Sequence, residues 1–240
     1  MKNLNELFTP CLILDENKFS KNIERLKSIV DQKNINFRPH LKTAKCIEIT
    51  KRFSETFGNR AMVSTIEEIE KLKICGINDF LYSVAIVPNK FDRIARCLSE
   101  DCKISVLVDD ISIARKLVDF YKQTGLKITA LIELDLDGHR SGVKSNSSEQ
   151  LYQIGKCLDN EGLFRGVMSH AGESYNLSNS KDLRECARIY VSKCRLRLLT
   201  MSRCPIWISS VIQLLDLDKV SESCLNSFGT LADRRLLFLN

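Results

Sequence analysis

Three short segments hold residue types whose spacing could do chemistry on a small carbonyl or amine. The first is Arg38-Pro-His-Leu-Lys-Thr-Ala-Lys45. It follows an apolar run and opens an amphipathic one, so Lys42 is expected at the end of a strand. A lysine in that place can form a Schiff base with a carbonyl, provided its surroundings keep the amine partly unprotonated. Spacing alone does not separate Lys42 from Lys45. The second segment is Glu133-Leu-Asp-Leu-Asp-Gly-His-Arg-Ser-Gly-Val143, where a strand ends in carboxylates, a glycine and an arginine. Arg140 could hold a phenolate or a carboxylate through charge-assisted hydrogen bonds. The third is Gly166-Val-Met-Ser-His-Ala-Gly-Glu-Ser-Tyr175. His170 sits where a strand gives way to a small-residue loop, and an imidazole there could stack on a planar cofactor or shuttle a proton. Taken singly, a solvated loop lysine, a polar Asp-Gly turn, a satisfied histidine and a packing aromatic at Tyr175 account for these residues as well.

The elements that must position these residues alternate in type. Short apolar runs at 37–40, 61–65, 80–85, 104–109, 128–135 and 164–169 predict strands. Between them, helical spacing is expected over 19–30, 67–75, 90–98, 113–121 and 149–159. After Lys42, Ile47, Ile49, Phe53 and Phe57 recur at intervals suited to one helix face. Gly58, Gly76, Gly125 and Gly162 each follow a helical stretch and precede a strand, where a C-cap glycine belongs. This alternation argues for βα units and a parallel sheet. The run Ile128-Thr-Ala-Leu-Ile-Glu-Leu-Asp135 is nearly all apolar, as in a strand covered on both faces. A doubly wound sheet and a (β/α)8 barrel both fit. The glycine-rich turn of a dinucleotide-binding unit is missing, and polar residues gather at strand C-terminal ends (His40 and Lys42, Ser64 and Thr65, Asp135 and His139, Ser169 and His170). The barrel is therefore expected, with its active site at the mouth formed by those ends. Only six of the eight strands can be counted, so the barrel is expected to be incomplete at its C-terminal end.

Composition narrows the function classes. The chain has 240 residues, 44% hydrophobic and 28% charged, which is ordinary for a globular protein and excludes wholesale disorder. Its 36 basic and 30 acidic residues give a net charge of +6, interleaved along the chain rather than clustered, so no nucleic-acid face is expected. No stretch approaches the ~20 apolar residues of a membrane helix, and residues 1–10 lack the apolar core of a secretory signal. The ten cysteines form no CxxC or Cys/His zinc pattern and read as reduced thiols, which suits a cytoplasmic protein.

Together the three segments resemble the N-terminal domain of the alanine-racemase-like (fold type III) pyridoxal-phosphate enzymes, in the branch of D-serine dehydratase and D-threonine aldolase. The opening Thr9-Pro-Cys-Leu-Ile-Leu-Asp15 is similar to that branch's Thr-Pro-x-Leu-x-Leu-Asp. Arg38, Pro39, His40, Lys42, Thr43 and Lys45 match its Arg-Pro-His-x-Lys-Thr-His-Lys, with Ala44 departing from the histidine. Residues 62–70 resemble its second strand and the helix start that follows. Asp135, Gly138, Arg140, Ser141 and Gly142 match its arginine loop. Gly166, His170, Ala171, Gly172, Ser174 and Tyr175 match its histidine loop.

This resemblance, over roughly residues 7–191, implies a (β/α)8 barrel of the alanine racemase N-terminal type. It implies a lyase of D-amino acid metabolism that binds pyridoxal 5'-phosphate as a Schiff base on Lys42. By the same resemblance His170 lies beside the cofactor ring, Arg140 reaches its phenolic oxygen or the substrate carboxylate, and His40 and Tyr175 complete the cofactor-binding set. The alternatives are a pyridoxal-phosphate-binding protein without catalysis and an inactive remnant.

Residues 1–192 are expected to form the barrel domain and 193–240 a divergent tail, since periodicity fades after about Lys193. The branch's Gly-Ser-Thr-Pro-Thr phosphate loop has no counterpart in the sequence. Nor do the histidine and cysteine with which full-length relatives bind a divalent metal, because His40, His139 and His170 all belong to barrel motifs. The expectation is a piece of a longer enzyme, or a tail read in a shifted frame. Full-length relatives are homodimers, and the expected partner of this chain is a small-molecule D-amino acid rather than nucleic acid or membrane.

Overall fold

The structure is a computed structural model that describes residues 4–33, 36–42, 45–99 and 101–199. Thr43 and Ala44 of the lysine segment, and residues 200–240 of the expected tail, lie outside the described residues.

Among the described residues, six strands and seven α-helices follow in order: α1 (Glu16–Lys33), α2 (Ile47–Phe57), β1 (Arg60–Val63), α3 (Ile66–Ile74), β2 (Asp79–Ala85), α4 (Phe91–Cys97), β3 (Lys103–Val108), α5 (Ile111–Thr124), β4 (Thr129–Asp135), β5 (Val143–Lys144), α6 (Ser148–Asp159), β6 (Phe164–Met168) and α7 (Ser180–Leu199). Every strand pair is parallel, in the order β1-β2-β3-β4, with β6 beside β4 and the two-residue β5 at the end of β4. The first expected strand, 37–40, is present only as a parallel bridge between His40 and Met62. It is held by Met62 N–H donating to the Pro39 carbonyl and Leu41 N–H to the Met62 carbonyl. Among the described residues, the His40 bridge, β1 to β4 and β6 thus follow one another as the six expected strand positions.

The period-2 alternation of the strands divides the core into two layers. Outward residues such as Val63, Tyr82, Val106, Ile132 and Val167 pack with Ile69, Ile94, Leu117 and Ile154 of the helices. Inward residues form a separate cluster with one member from each of β1 to β4 and β6: Met62, Leu81, Leu107, Leu131 and Met168. Coverage on both faces is why these strands read as continuous apolar runs.

Local signals set the helix ends. Thr65 and Glu68 form a reciprocal capping box at the start of α3, and Asp110 accepts from Ser112 N–H at the start of α5. Gly125 closes α5 in the left-handed region, at φ 70°. Phe53 and Phe57 of α2 stack at 5.9 Å and pack with Leu26, Ile29 and Val30 of α1. Ile47, expected on the same face, is exposed because it opens the first turn. No helix among the described residues is long and apolar enough to cross a membrane.

Candidate active site

Above the apolar inner layer, the inward positions turn polar at the strand C-terminal ends. Ser83 lies two residues beyond Leu81, Asp109 two beyond Leu107, and Glu133 two beyond Leu131, so each shares its neighbour's inward face. Ser64, just past the end of β1, follows Met62 in the same way. These residues, with His40 and His170, line the mouth that the sequence predicts.

His40 is bound at both ring nitrogens. Ser83 Oγ donates to the Val63 carbonyl at 2.9 Å and therefore accepts from His40 Nε2 at 3.1 Å, with Ser64 Oγ at 3.5 Å from the same nitrogen. Nδ1 accepts the backbone N–H of Lys42 at 3.3 Å. These bonds assign a neutral imidazole carrying its proton on Nε2. Burial lowers its pKa from 6.5 to about 4; the charge of Lys42 adds to this, Glu68 opposes it, and His170 adds further. Lys42 and His170 are thus each within electrostatic reach of His40.

The two lysines of the first segment are held differently. Lys45 adopts φ 44° and its ammonium lies 3.9 Å from Glu68 Oε1. Lys42 is exposed at the turn, and its ε-amine has no ion-pair partner among the described residues. Arg38 points to the opposite end of the strands, where it pairs with Asp79 at 2.6 Å. In this motif Arg38 therefore braces the N-terminal end of the sheet, while His40 lies at the C-terminal end and holds the Lys42 backbone.

Glu133 organises the opposite side. Its Oε1 accepts from His170 Nδ1 at 2.9 Å and from Ser141 Oγ at 2.8 Å, while Oε2 is buried without a hydrogen-bond partner. The residue is 1% exposed. Burial raises the pKa of the neighbouring Asp109, and the charge of Glu133 raises it further. Asp135 Oδ1 accepts from the backbone N–H of Gly138 and Arg140, folding the arginine loop over the end of β4. Asp137 Oδ2 accepts from Gly172 N–H at 3.0 Å, and His139 Nε2 lies 3.1 Å from Glu173 Oε1, so the arginine and histidine loops are clasped together. Arg140 runs along Gly172: a Cβ there would stand 2.5 Å from its Nη1.

The structure therefore sets His40 within reach of both Lys42 and His170, with Arg140 on the loop that adjoins the histidine loop. It does not draw Tyr175 in; that side chain is 74% exposed and makes no hydrogen bond among the described residues. The roles of Ser83, Asp109 and Glu133 escape reading from motifs alone. Their signal was the inward parity they share with the apolar layer, one step further along each strand.

The model of the family described as alanine racemase, N-terminal domain, matches residues 14–205. D-threo-3-hydroxyaspartate dehydratase of Delftia sp. (strain HT23) is 31% identical over 182 residues, covering 75% of this chain and 48% of that protein. Its solved structure has a TM-score of 0.83 and 28% identity, and the match covers 90% of this chain and 58% of that one. D-serine dehydratase of Dictyostelium discoideum is 29% identical over 199 residues, covering 77% of this chain and 50% of that protein. The crystal structure of D-threonine aldolase from Filomicrobium marinum has a TM-score of 0.75 and 25% identity, covering 82% of this chain and 53% of its own. The chain spans about half the length of the curated relatives it matches.

Proposed function

Because the chain belongs to the alanine racemase N-terminal domain family, matched over residues 14–205, we propose that it is the barrel of a pyridoxal-phosphate-dependent lyase acting on a D-amino acid. The observation that carries this reading is the convergence of Lys42, neutral His40 and Glu133-bound His170 at the strand ends. The named relatives take D-serine, D-threonine or D-threo-3-hydroxyaspartate by their titles, and each of those molecules bears a hydroxyl on Cβ. A D-amino acid with a β-hydroxyl is accordingly the substrate class.

The residues present suit the cofactor. Lys42 offers an amine free of ion pairing among the described residues, which Lys45, beside Glu68, does not. Lys42 would hold it at its carbonyl carbon, His170 would lie against its ring, and Arg140 would face its phenolic oxygen or the substrate carboxylate. When bound, the cofactor supplies an electron-withdrawing ring that takes up charge as a bond to the substrate Cα breaks.

The chain's own residues do the remaining work. His40 stays neutral near pH 7, and through Nδ1 it holds the backbone of Lys42. It therefore places no second positive charge beside the amine. Lys42, once its amine is free, is the base that can move a proton at the substrate Cα. Arg140, on its clasped loop, can orient the carboxylate by charge-assisted hydrogen bonds.

The test is borohydride reduction of the protein after addition of pyridoxal phosphate, followed by peptide mass analysis. The adduct is expected on Lys42 and should be lost in Lys42→Ala; a folded protein with no adduct, or with one on Lys45, would sink the assignment. Incubation with D-serine and D-threonine then reads the reaction. Ammonia with a keto acid marks dehydration, glycine with an aldehyde marks aldol cleavage, and neither, with D-threo-3-hydroxyaspartate inert as well, marks a binding protein.

A further inference from the structure

A carboxylate buried this deeply is costly unless its oxygens are bound. Glu133 has one oxygen bound twice and the other buried without a partner. Leucine or methionine would fill an inner position of β4 at lower cost, as Leu131 does one layer below. Packing therefore does not account for a glutamate here. Its two bonds do, because they run to two different loops. Ser141 is the neighbour of Arg140, and His170 opens the second loop; both donate to the same oxygen, Oε1.

We propose that Glu133 is the positioning residue of the site: by accepting from His170 Nδ1 and Ser141 Oγ, it fixes the tautomer and plane of the His170 ring and ties the arginine loop to the same anchor. With the Nδ1 proton committed to Glu133, the Nε2 lone pair on the far side of the ring is left as an acceptor at the mouth. His40 has the opposite arrangement, with its proton on Nε2 and its lone pair on Nδ1. The site thus holds two imidazoles in opposite tautomers, one set by Ser83 of β2 and the Lys42 backbone, the other by Glu133 of β4. A carboxylate partner that fixes a histidine's tautomer is a general device where the other ring nitrogen has work to do. This inference deepens the cofactor reading above and rests on it for its purpose, though not for its structural content.

The experiment separates the two. The chain contains three histidines, so imidazole 15N spectra of the protein show three side chains, with His139→Asn and His40→Asn assigning two and leaving His170. In its neutral form, His170 is expected to carry its proton on Nδ1. In Glu133→Leu it should relax toward the Nε2–H form, while Glu133→Gln, which keeps an acceptor oxygen, should preserve it. An Nε2–H His170 in the unmutated protein overturns the proposal without need of any variant. So does an unchanged tautomer in a folded Glu133→Leu protein.

The second arm is pyridoxal phosphate binding, followed by absorbance. Glu133→Leu is expected to weaken it by about ten-fold, the lower end of the scale on which carboxylate partners of metal-ligating histidines act, with Glu133→Gln recovering most of the loss. Equal binding by both variants would remove the functional purpose from Glu133. If the unmutated protein binds no pyridoxal phosphate at all, the cofactor reading fails while the tautomer result still stands or falls alone.

Discussion

His40 is the residue whose surroundings make the sharpest solution prediction. Its pKa in the folded protein is lowered from 6.5 to about 4, chiefly by burial. Between those values the unfolded chain holds a proton that the folded chain does not, so stability falls as pH falls from 6.5 toward 4 and is level above. Urea unfolding midpoints at pH 7 and pH 5 should therefore differ more for the native protein than for His40→Gln; equal differences would mean that the ring is charged in the folded state. The bonds of His40 extend the point. Its Nδ1 receives the Lys42 backbone, so the same neutrality that shapes the pH response also steadies the proposed cofactor lysine. Lys42 and Lys45, equivalent by spacing, differ once folded, because Lys45 lies 3.9 Å from Glu68 and Lys42 has no ion-pair partner among the described residues. Glu68 is where it is because it caps α3, accepting from the backbone N–H of Ser64 and Thr65.

At the scale of elements, the turns that leave the strands carry the site, and two of them can be tested directly. Gly142 has φ 115°, and a Cβ there would stand 2.8 Å from Asp135 N and 2.8 Å from the Glu133 carbonyl oxygen. Only glycine allows the arginine loop to return so closely that Val143 pairs with Leu134. Gly142→Ala should cost on the order of 2–4 kcal/mol of unfolding free energy, combining backbone strain with overpacking. The loss should be measurable as a fall in denaturant midpoint. Thr65→Ala removes half of the α3 capping box and should cost about 1 kcal/mol, a loss close to that of Gly142→Ala counting against the strain at Gly142. The helix and strand positions were legible from apolar spacing and glycine punctuation, and β1 to β4 and β6 form within a residue or two of the expected runs. The strand expected at 37–40 was not fully formed because its pairing is limited to the Pro39, Leu41 and Met62 backbone bonds. The short β5 gave no sequence signal, since two residues are too few to show a period.

At the scale of the molecule, the sheet separates an outer helix-packed layer from an inner layer of five side chains, and that inner floor supports the polar mouth. Leu107 is fully buried in it. Leu107→Ala should destabilise the protein by roughly 2–5 kcal/mol; a loss near zero in chemical denaturation would mean that the floor is not packed as described. What the sequence by itself determined is the parallel βα order, the barrel class and the segments holding Lys42, Arg140 and His170. Those follow from local causes: apolar period, caps, glycines and residue types at strand ends. What only the tertiary structure decided is which of those residues meet and what holds them. Arg38 and Lys42 lie four residues apart yet serve opposite ends of the sheet. His170 and Glu133, 37 residues apart, share a hydrogen bond. Such pairings depend on the register between strands and on a parity that repeats in every strand, and register is set by the packing of the whole sheet rather than by any one segment.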